Sequence, residues 1–166
     1  GVCGGDAVAD DCGECGGDGW SCNTANIAAV TGTTLTGDTG ELYDSGGPNA
    51  GYSSNENYSV TISNGGTEQL QLVFDYFDVE AYSCNYDKLT ITDGDTSTDY
   101  CNSTGSPGTV TASGSSLTLD WVTDGGGNYG GFHFTWSYLS VVEGCTDATA
   151  CNYNDQANTD DGSCVA

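Results

Sequence analysis

Two acidic residues, Glu80 and Asp87, lie close together in the stretch at residues 74–94, which reads FDYFDVEAYSCNYDKLTITDG. The stretch opens as a strand with alternating aromatic residues, and a second strand at residues 88–92 closes it. Cys84 lies between the two acids, where it would pin their loop. Because hard cations such as calcium take oxygen ligands, the stretch predicts a cation site in an extracellular β-protein.

The charge of the whole chain fits a cationic partner. Its 166 residues include 24 acids and one base, Lys88, which gives a formal net charge of −23. Such a charge repels itself in the compact state and argues against nucleic acid or an anionic membrane as a partner. Most of these acids are expected to serve solubility alone, but a bound divalent cation would offset part of the repulsion.

The composition points to a secreted or cell-surface protein. Nine cysteines in a short chain indicate an oxidising compartment. No apolar run approaches the roughly 20 residues that a membrane helix needs, so no membrane insertion is expected. No signal peptide is visible, and Gly1 reads as the start of a mature or trimmed chain.

Residues 1–26 are predicted to be a module rich in cysteine, glycine and aspartate, with too few apolar residues to build a core. Cross-links or a metal must therefore order it. The spacing of Cys12 and Cys15 fits zinc, with Cys3 and Cys22 as further ligands, but the extracellular composition favours disulfides. Four cysteines allow three pairings, and the choice among them stays open.

Residues 27–140 are predicted to be the main domain. Apolar and polar residues alternate in five runs, which are residues 58–63, 69–77, 88–92, 116–123 and 131–139. Residues 27–35 are uncharged and β-branched, which predicts a first or edge strand, and no apolar stripe of helical period appears anywhere. The domain should be all-β, an antiparallel sandwich of two sheets. The residues predicted to face the core are Val60, Ile62, Leu70, Leu72, Phe74, Leu89, Ile91, Leu117, Leu119, Trp121, Phe132, Phe134, Trp136 and Tyr138.

Residues 141–166 return to a sequence rich in cysteine and Asx residues, with Cys145, Cys151 and Cys164. Four acids of this module are candidates for a second calcium site: Asp147, Asp155, Asp160 and Asp161. Their spacing does not fit an EF-hand loop. Asx turns held by one or two disulfides are therefore favoured over a second calcium site.

The central residues resemble a CUB domain, the extracellular module of complement proteases, tolloid-like proteases and spermadhesins. The resemblance covers about two-thirds of the chain, and residues 42–62 are similar to the version found in secreted bacterial proteins. The motifs that carry it are Phe74-x-x-Phe77-x-x-Glu80, Cys84-x-Tyr86-Asp87-x-Leu89, Ile91-x-Asp93-Gly94, Tyr100-Cys101, Trp121-x-x-Asp124 and Gly131-Phe132.

This resemblance implies a jelly-roll-like sandwich of two sheets with calcium-binding loops at one end. The side-chain ligands would be Glu80, Asp87 and Asp124, joined by a backbone carbonyl near Gly126 and by Asn128. Calcium wants six to eight oxygens, and three carboxylates can balance its charge. The resemblance also implies a Cys84–Cys101 disulfide. A second disulfide of the animal domains would be missing, because Tyr58 falls where one of its cysteines is expected.

The two ends of the chain also resemble pieces of multidomain proteins. Residues 143–164 are similar to a short repeat module of large secreted bacterial surface proteins. Residues 12–22 resemble cysteine-rich spacers of such proteins. Both likenesses imply that this chain is one unit of a longer array.

Catalysis is not supported. The only histidine, His133, has opposite strand parity to Phe132 and Phe134, so it should face outward as a surface residue. No nucleophile-elbow or zinc-protease motif is present. Glu80 and Asp87 could be imagined as a glycosidase pair, but a turn-rich calcium loop disfavours that role.

The first functional hypothesis is a non-enzymatic, calcium-stabilised structural or adhesion module that repeats in a surface or secreted fibre. The odd number of cysteines leaves at least one thiol free or joined to another chain. Cysteines at both ends suit head-to-tail linkage, and residues 27–35 could add to the sheet edge of a neighbour. The partner would then be another copy of the chain.

The alternative is a monomeric, calcium-dependent CUB module that binds a protein or glycan as part of a larger secreted protein. The resemblance implies that a partner's lysine inserts beside the calcium-ligating acids, so the partner would be an extracellular protein with basic residues. Lys88 could instead pair internally. Asn57 and Asn102 begin N-glycosylation sequons in predicted loops.

Overall fold

A computed structural model describes residues 24–140 and 142–165. Residues 1–23 of the first cysteine-rich module lie outside the described residues, and with them Cys3, Cys12, Cys15, Cys22 and the zinc alternative. The elements are β1 (Thr24–Asn26), α1 (Ile27–Val30), β2 (Thr34–Leu35), β3 (Thr39–Tyr43), a 3₁₀ turn (Gly47–Asn49), β4 (Asn57–Ser63), β5 (Gln69–Asp78), β6 (Lys88–Asp93), β7 (Thr96–Tyr100), β8 (Thr109–Thr111), β9 (Ser116–Val122), β10 (Gly131–Leu139), β11 (Glu143–Gly144) and β12 (Thr159–Asp160).

Two five-stranded sheets form a sandwich, with strand orders β1-β3-β10-β5-β8 and β2-β4-β9-β6-β7. The predicted all-β sandwich of two sheets is confirmed. The sheets are mixed rather than purely antiparallel, because β1 pairs with β3 and β2 pairs with β4 in parallel. Both short strands come from one segment that passes from the first sheet to the second through α1, which places each of them at an edge.

The core takes one face of each long strand, as the period-two alternation predicts. On β5, Leu70 and Leu72 are fully buried. Val73, which stands between Leu72 and Phe74 in the sequence, is 41% exposed. The five predicted runs are all strands, with ends that differ from the prediction by at most one residue. Burying a side chain of this size stabilises a fold by about 1.5–3 kcal/mol, so the shared apolar layer holds the two sheets together.

The prediction of a strand over residues 27–35 is wrong at its start. Ile27–Val30 is a single helical turn, in which the Asn26 side chain accepts a hydrogen bond from the Ala29 amide. Ile27 is fully buried against the sandwich. Capping by Asn26 and the burial of Ile27 outweigh the weak β preference of this segment.

The C-terminal residues 142–165 are held by turns, a disulfide and the two short parallel strands β11 and β12. Cys145 is bonded to Cys164, and Cys151 is free and exposed. Asx turns are present as predicted, for example where Asp147 Oδ1 accepts from the Thr149 amide and Asp161 Oδ1 accepts from the Ser163 amide. Within the described ranges, no helix has the length and apolar character needed to cross a membrane.

Candidate metal centre

Two loops at one end of the sandwich, the β5–β6 loop and the loop after β9, bring Glu80, Asp87 and Asp124 together. Glu80 follows β5, Asp87 precedes β6 and Asp124 follows β9. Strands β6 and β9 are antiparallel neighbours, so the start of one lies beside the end of the other, and β5 delivers its loop from the facing sheet. One carboxylate oxygen from each residue lies within 4.8 Å of the others.

Asp87 is the fixed point of this cluster. It is completely buried, and both of its carboxylate oxygens accept short hydrogen bonds. Oδ2 accepts from the Tyr52 hydroxyl at 2.7 Å, and Oδ1 accepts from the Asp124 amide at 2.8 Å. The second bond links the backbone of the Asp124 loop to the Asp87 carboxylate. The Asp124 side chain lies beside the same carboxylate.

Glu80 is the acid of this cluster that has an unsatisfied carboxylate oxygen. Its Oε2 atom is buried and has no hydrogen-bond partner. Burial raises the pKa of Glu80, and repulsion from Asp87 and Asp124 raises it further. Gly127, at φ +74°, passes so close that a Cβ atom there would overlap the Glu80 carboxylate. A side chain at this position would displace the Glu80 carboxylate or the loop itself.

The donor set fits a calcium ion. Oxygens bound to one calcium lie about 2.3–2.6 Å from it, so a mutual separation of up to 4.8 Å is what three ligands of one ion can span. Three clustered carboxylates repel one another, and a buried oxygen without a partner is costly. A bound divalent cation would offset the repulsion among the carboxylates and would give the buried Glu80 oxygen a partner.

Gly126 and Asn128 lie in the loop after Asp124. The Gly126 amide donates to Asp124 Oδ1 at 2.9 Å. The Asn128 side chain is occupied at both ends, since its Oδ1 accepts from the Ser54 hydroxyl and its Nδ2 donates to the Tyr52 carbonyl. These bonds fasten the loop to residues 52–54, and a ligand role for Gly126 or Asn128 stays a prediction.

Two buried residues of the site were missed by the sequence reasoning. Tyr52 is 3% exposed, donates to Asp87 and accepts from the Glu80 amide. Glu56 is 6% exposed and accepts from Trp121 Nε1 at 2.8 Å. The partners named here lie 28, 35 and 65 positions away along the chain, so no local pattern reveals these bonds, and only the family-like stretch at residues 42–62 marked the region.

The loop between Glu80 and Asp87 has a strained backbone. Tyr82, Ser83 and Cys84 all have left-handed φ angles, at 68°, 59° and 56°. This conformation costs an ordinary residue about 1–2 kcal/mol. The structure contains the disulfide between Cys84 and Cys101 that the resemblance implied, and a link closing such a loop is worth about 3 kcal/mol. The covalent bond therefore helps to keep the strained loop in place.

Lys88 pairs internally, but not with its neighbour Asp87. Its Nζ lies 2.8 Å from Asp99 Oδ2 on the adjacent strand β7. Hydrogen bonds from Lys88 and Thr90 lower the pKa of Asp99. Because Lys88 belongs to the outer face of the sheet, it leaves the charge of the three clustered acids uncompensated.

His133 lies on the outer face of β10, as its parity predicts, but it is not a solitary surface residue. Its side chain is 14% exposed, with Nδ1 2.6 Å from Asp75 and Nε2 3.1 Å from Glu41. The ring also stacks on Tyr43 at a centroid distance of 4.1 Å. These contacts link three neighbouring strands.

The two sequons are both exposed. Asn57 is the first residue of β4 rather than a loop residue. The Asn102 side chain accepts from the Val79 amide and donates to Asp78. A glycan on Asn102 would compete with the second of these bonds, and glycosylation at either position stays a prediction.

Comparison with known proteins identifies the sandwich. A family model described as CUB domain matches residues 31–136. Human cubilin is 32% identical over 132 residues, which cover 77% of this chain and 4% of cubilin. The chain therefore spans a small part of that relative's length.

Solved structures share the fold. The full extracellular region of zebrafish Gpr126/Adgrg6 matches with a TM-score of 0.60 at 22% identity, over 65% of this chain and 14% of that one. The MASP-1 CUB2 domain bound to Ca2+ matches with a TM-score of 0.55 at 22% identity, over 64% of this chain and 98% of that one.

Proposed function

The chain belongs to the CUB family, and we propose that it is a calcium-dependent binding module of a larger extracellular protein. CUB domains are typically non-enzymatic modules of such proteins. The observation that carries the proposal is the convergence of Glu80, Asp87 and Asp124 around a buried Glu80 oxygen that lacks a partner. A related domain, MASP-1 CUB2, is bound to Ca2+ in its solved structure, which supports the choice of metal.

In this proposal the ion orders the binding surface. Glu80, Asp87 and Asp124 supply side-chain oxygens, with Gly126 and Asn128 as candidates for further ligands. Calcium supplies the positive charge that the described protein contacts do not give these acids. The loops after β5 and β9 and the segment at Tyr52 would then be held in one arrangement, ready for a partner.

The partner we propose is an extracellular protein that presents basic side chains. The net charge of −23 attracts such a surface and repels acidic ones. A glycan remains the second class of ligand under this proposal. We infer secretion or display at a cell surface, and the family and the two disulfides of the described residues support this location.

A fibre subunit is the second candidate function. The observation that favours it is Cys151, which is exposed and free within residues 24–140 and 142–165 and could join another chain. The cubilin match favours the binding module instead, because this chain corresponds to 4% of that long protein. Electrophoresis with and without reducing agent separates the two: disulfide-linked multimers support the fibre, and a monomer under both conditions contradicts it.

Thermal melting with calcium and with a chelator tests the calcium proposal. We expect calcium to raise the Tm of the wild-type chain by several degrees, because ligands that bind only the folded state stabilise it. Asp124→Ala removes one ligand but no described bond except that from the Gly126 amide, so it should fold and lose the calcium-dependent shift. Asp155→Ala, which changes an exposed acid of the C-terminal module, should keep the shift. An equal Tm with and without calcium in the wild type would contradict a structural ion.

A further inference from the structure

A second site lies beside the candidate metal centre, on the outer face of the β3-β10-β5 sheet. It is a cavity of about 470 Å³ under the loop that contains the 3₁₀ turn Gly47–Asn49. We propose that this cavity, the Asp44 pocket, binds the ammonium or guanidinium group of a basic side chain from a partner protein. The Asp44 pocket contains none of the three clustered carboxylates, so the proposal does not rest on calcium binding.

The pocket has the size and the walls of a ligand site. Its volume falls in the range of about 300–1,000 Å³ typical of such sites. Its lining includes the aromatic residues Tyr43 and Tyr76 together with Asp44 and Gly51. Tyr76 is 48% exposed, so its ring is available to a guest.

Asp44 is a buried carboxylate with neutral partners. It is 2% exposed, and its described donors are the backbone amides of Gly46, at 2.7 Å, and Phe132, at 3.1 Å. Gly131, at φ +90°, makes the second bond possible, because a Cβ atom there would overlap the carboxylate. Two backbone amides therefore hold the Asp44 carboxylate in place, but no described cation neutralises its charge.

The basic groups of the described chain are engaged elsewhere. Lys88 bonds Asp99 on the other sheet, and both ring nitrogens of His133 face carboxylates, those of Glu41 and Asp75. Both ring nitrogens of His133 are therefore engaged by carboxylates other than that of Asp44. Burial raises the pKa of Asp44 to about 6, which is the expected effect of removing a carboxylate from water without a counter-charge.

A cationic guest meets this demand better than other ligands. A buried charge is stabilised by a partner of opposite charge with good geometry, and the faces of tyrosine rings attract ammonium and guanidinium groups. A neutral sugar could stack on Tyr76 but would leave Asp44 uncompensated. An anionic ligand would meet the repulsion of a chain with 24 acids.

The Asp44 pocket and the metal centre are mechanically connected. Gly51 lines the pocket, and the next residue, Tyr52, donates to Asp87. Gly130 lines the pocket and belongs to the loop that follows Asp124. Ordering of these loops by calcium should therefore strengthen binding in the pocket without being required for it.

The test is a calorimetric or NMR titration of the intact chain in saturating calcium with three small probes. These are the acetylated methylamides of lysine, arginine and norleucine, the last being uncharged. We expect the lysine or arginine probe to bind and the norleucine probe not to bind. Tyr76→Ala should weaken binding about three- to tenfold, whereas Tyr86→Ala, which removes a ring of nearly equal exposure at 49%, should not.

Further variants test where the probe binds and whether its binding depends on the charge of Asp44. Asp44→Asn should abolish binding. The Asp44→Asn substitution places an amide N–H against one of two backbone donors, so it could unfold the chain. Tyr76→Ala is therefore the deciding variant. Asp124→Ala should weaken the probe's binding but not remove it. A wild-type chain that binds the probe but no calcium would leave the pocket in place while the proposed calcium function fails.

Three results would overturn the proposal. Equal binding of the norleucine probe would show an apolar site. Loss of binding in Asp124→Ala with no effect of Tyr76→Ala would place the probe at the metal centre. Binding of methyl glycosides, with no binding of either cationic probe, would assign the pocket to neutral sugars.

Discussion

Asp87 and Asp44 are both buried carboxylates, exposed by 0% and 2%, yet their surroundings differ in a way that indicates different ligands. Asp87 lies with two more acids whose oxygens come within 4.8 Å. Asp44 accepts two backbone amides and has no second acid among its bonded partners. A cluster of carboxylates suits a small divalent ion, whereas one carboxylate beside tyrosine rings suits a single organic cation.

The comparison also shows how each acid is built into the fold. Asp87 accepts from Tyr52 and from the Asp124 amide, so it joins segments that are 35 and 37 residues away along the chain. Asp44 is held partly by its own turn, through the Gly46 amide. Asp87 is thus the larger structural contributor, and its removal should cost more.

The largest expected effect is that of Asp87→Ala. It leaves the Asp124 amide without its acceptor and leaves the Tyr52 hydroxyl only the longer bond to the Gly127 carbonyl at 3.3 Å. Each unsatisfied group costs about 1–3 kcal/mol, so we expect the free energy of unfolding in calcium to fall by about 2–4 kcal/mol. Urea unfolding measures it. A loss below that of Tyr52→Phe would contradict the central place given to Asp87.

Tyr52→Phe is the next expected effect. It removes the hydroxyl that donates to Asp87 and accepts from the Glu80 amide, but it keeps the ring that packs edge-on against Trp121 at 5.0 Å. We expect a loss of about 1–2 kcal/mol in the free energy of unfolding and weaker calcium binding. Tyr58→Phe, whose hydroxyl has no hydrogen bond among those described here, serves as the matched control and should change neither quantity.

The smallest expected effect is a pH dependence at Asp44. Its pKa is about 6 in the folded chain against an ordinary value of 3.8, so the folded state takes up the proton first as pH falls. The stability from this group is complete below pH 3.8 and is lost as pH rises through about 6. Asp44→Asn lacks this contribution.

Unfolding of wild type and Asp44→Asn at pH 7 and pH 5 in saturating calcium measures the effect. The stability difference, wild type minus variant, should be larger at pH 5. Changes at Glu80 and the other acids occur in both chains and cancel in the difference. A difference that is constant or smaller at pH 5 would show that Asp44 is not the group that burial perturbs.

The sequence was sufficient for the parts of the fold that local patterns determine. Alternation placed Leu70, Leu72 and Phe74 inward because a strand has period two. A single turn such as Ile27–Val30 is too short to show a helical period, so its β-branched neighbours suggested a strand. The polar edge strand Thr96–Tyr100 is exposed along nearly its whole length and has no alternation to reveal it.

The candidate sites also contain some residues that the sequence revealed and others that it did not. Glu80 and Asp87 were singled out by their closeness in the sequence, and Asp124 was added because it matches the motif of a known family. Tyr52 and Asp44 were not found, because their roles depend on partners far along the chain, Asp87 for one and the Phe132 amide for the other. Residues 44–51 read only as a turn, and a turn pattern does not tell whether its aspartate faces water or a cavity.

Calorimetric titration of calcium into the intact chain tests the central claim most directly. We predict that wild type binds one ion more than Asp124→Ala, and that Asp44→Asn, if folded, binds as many as wild type. The difference between the first two chains isolates the metal centre from any calcium bound by the C-terminal acids. Equal binding by wild type and Asp124→Ala, or no binding by either, would contradict a calcium site formed by Glu80, Asp87 and Asp124.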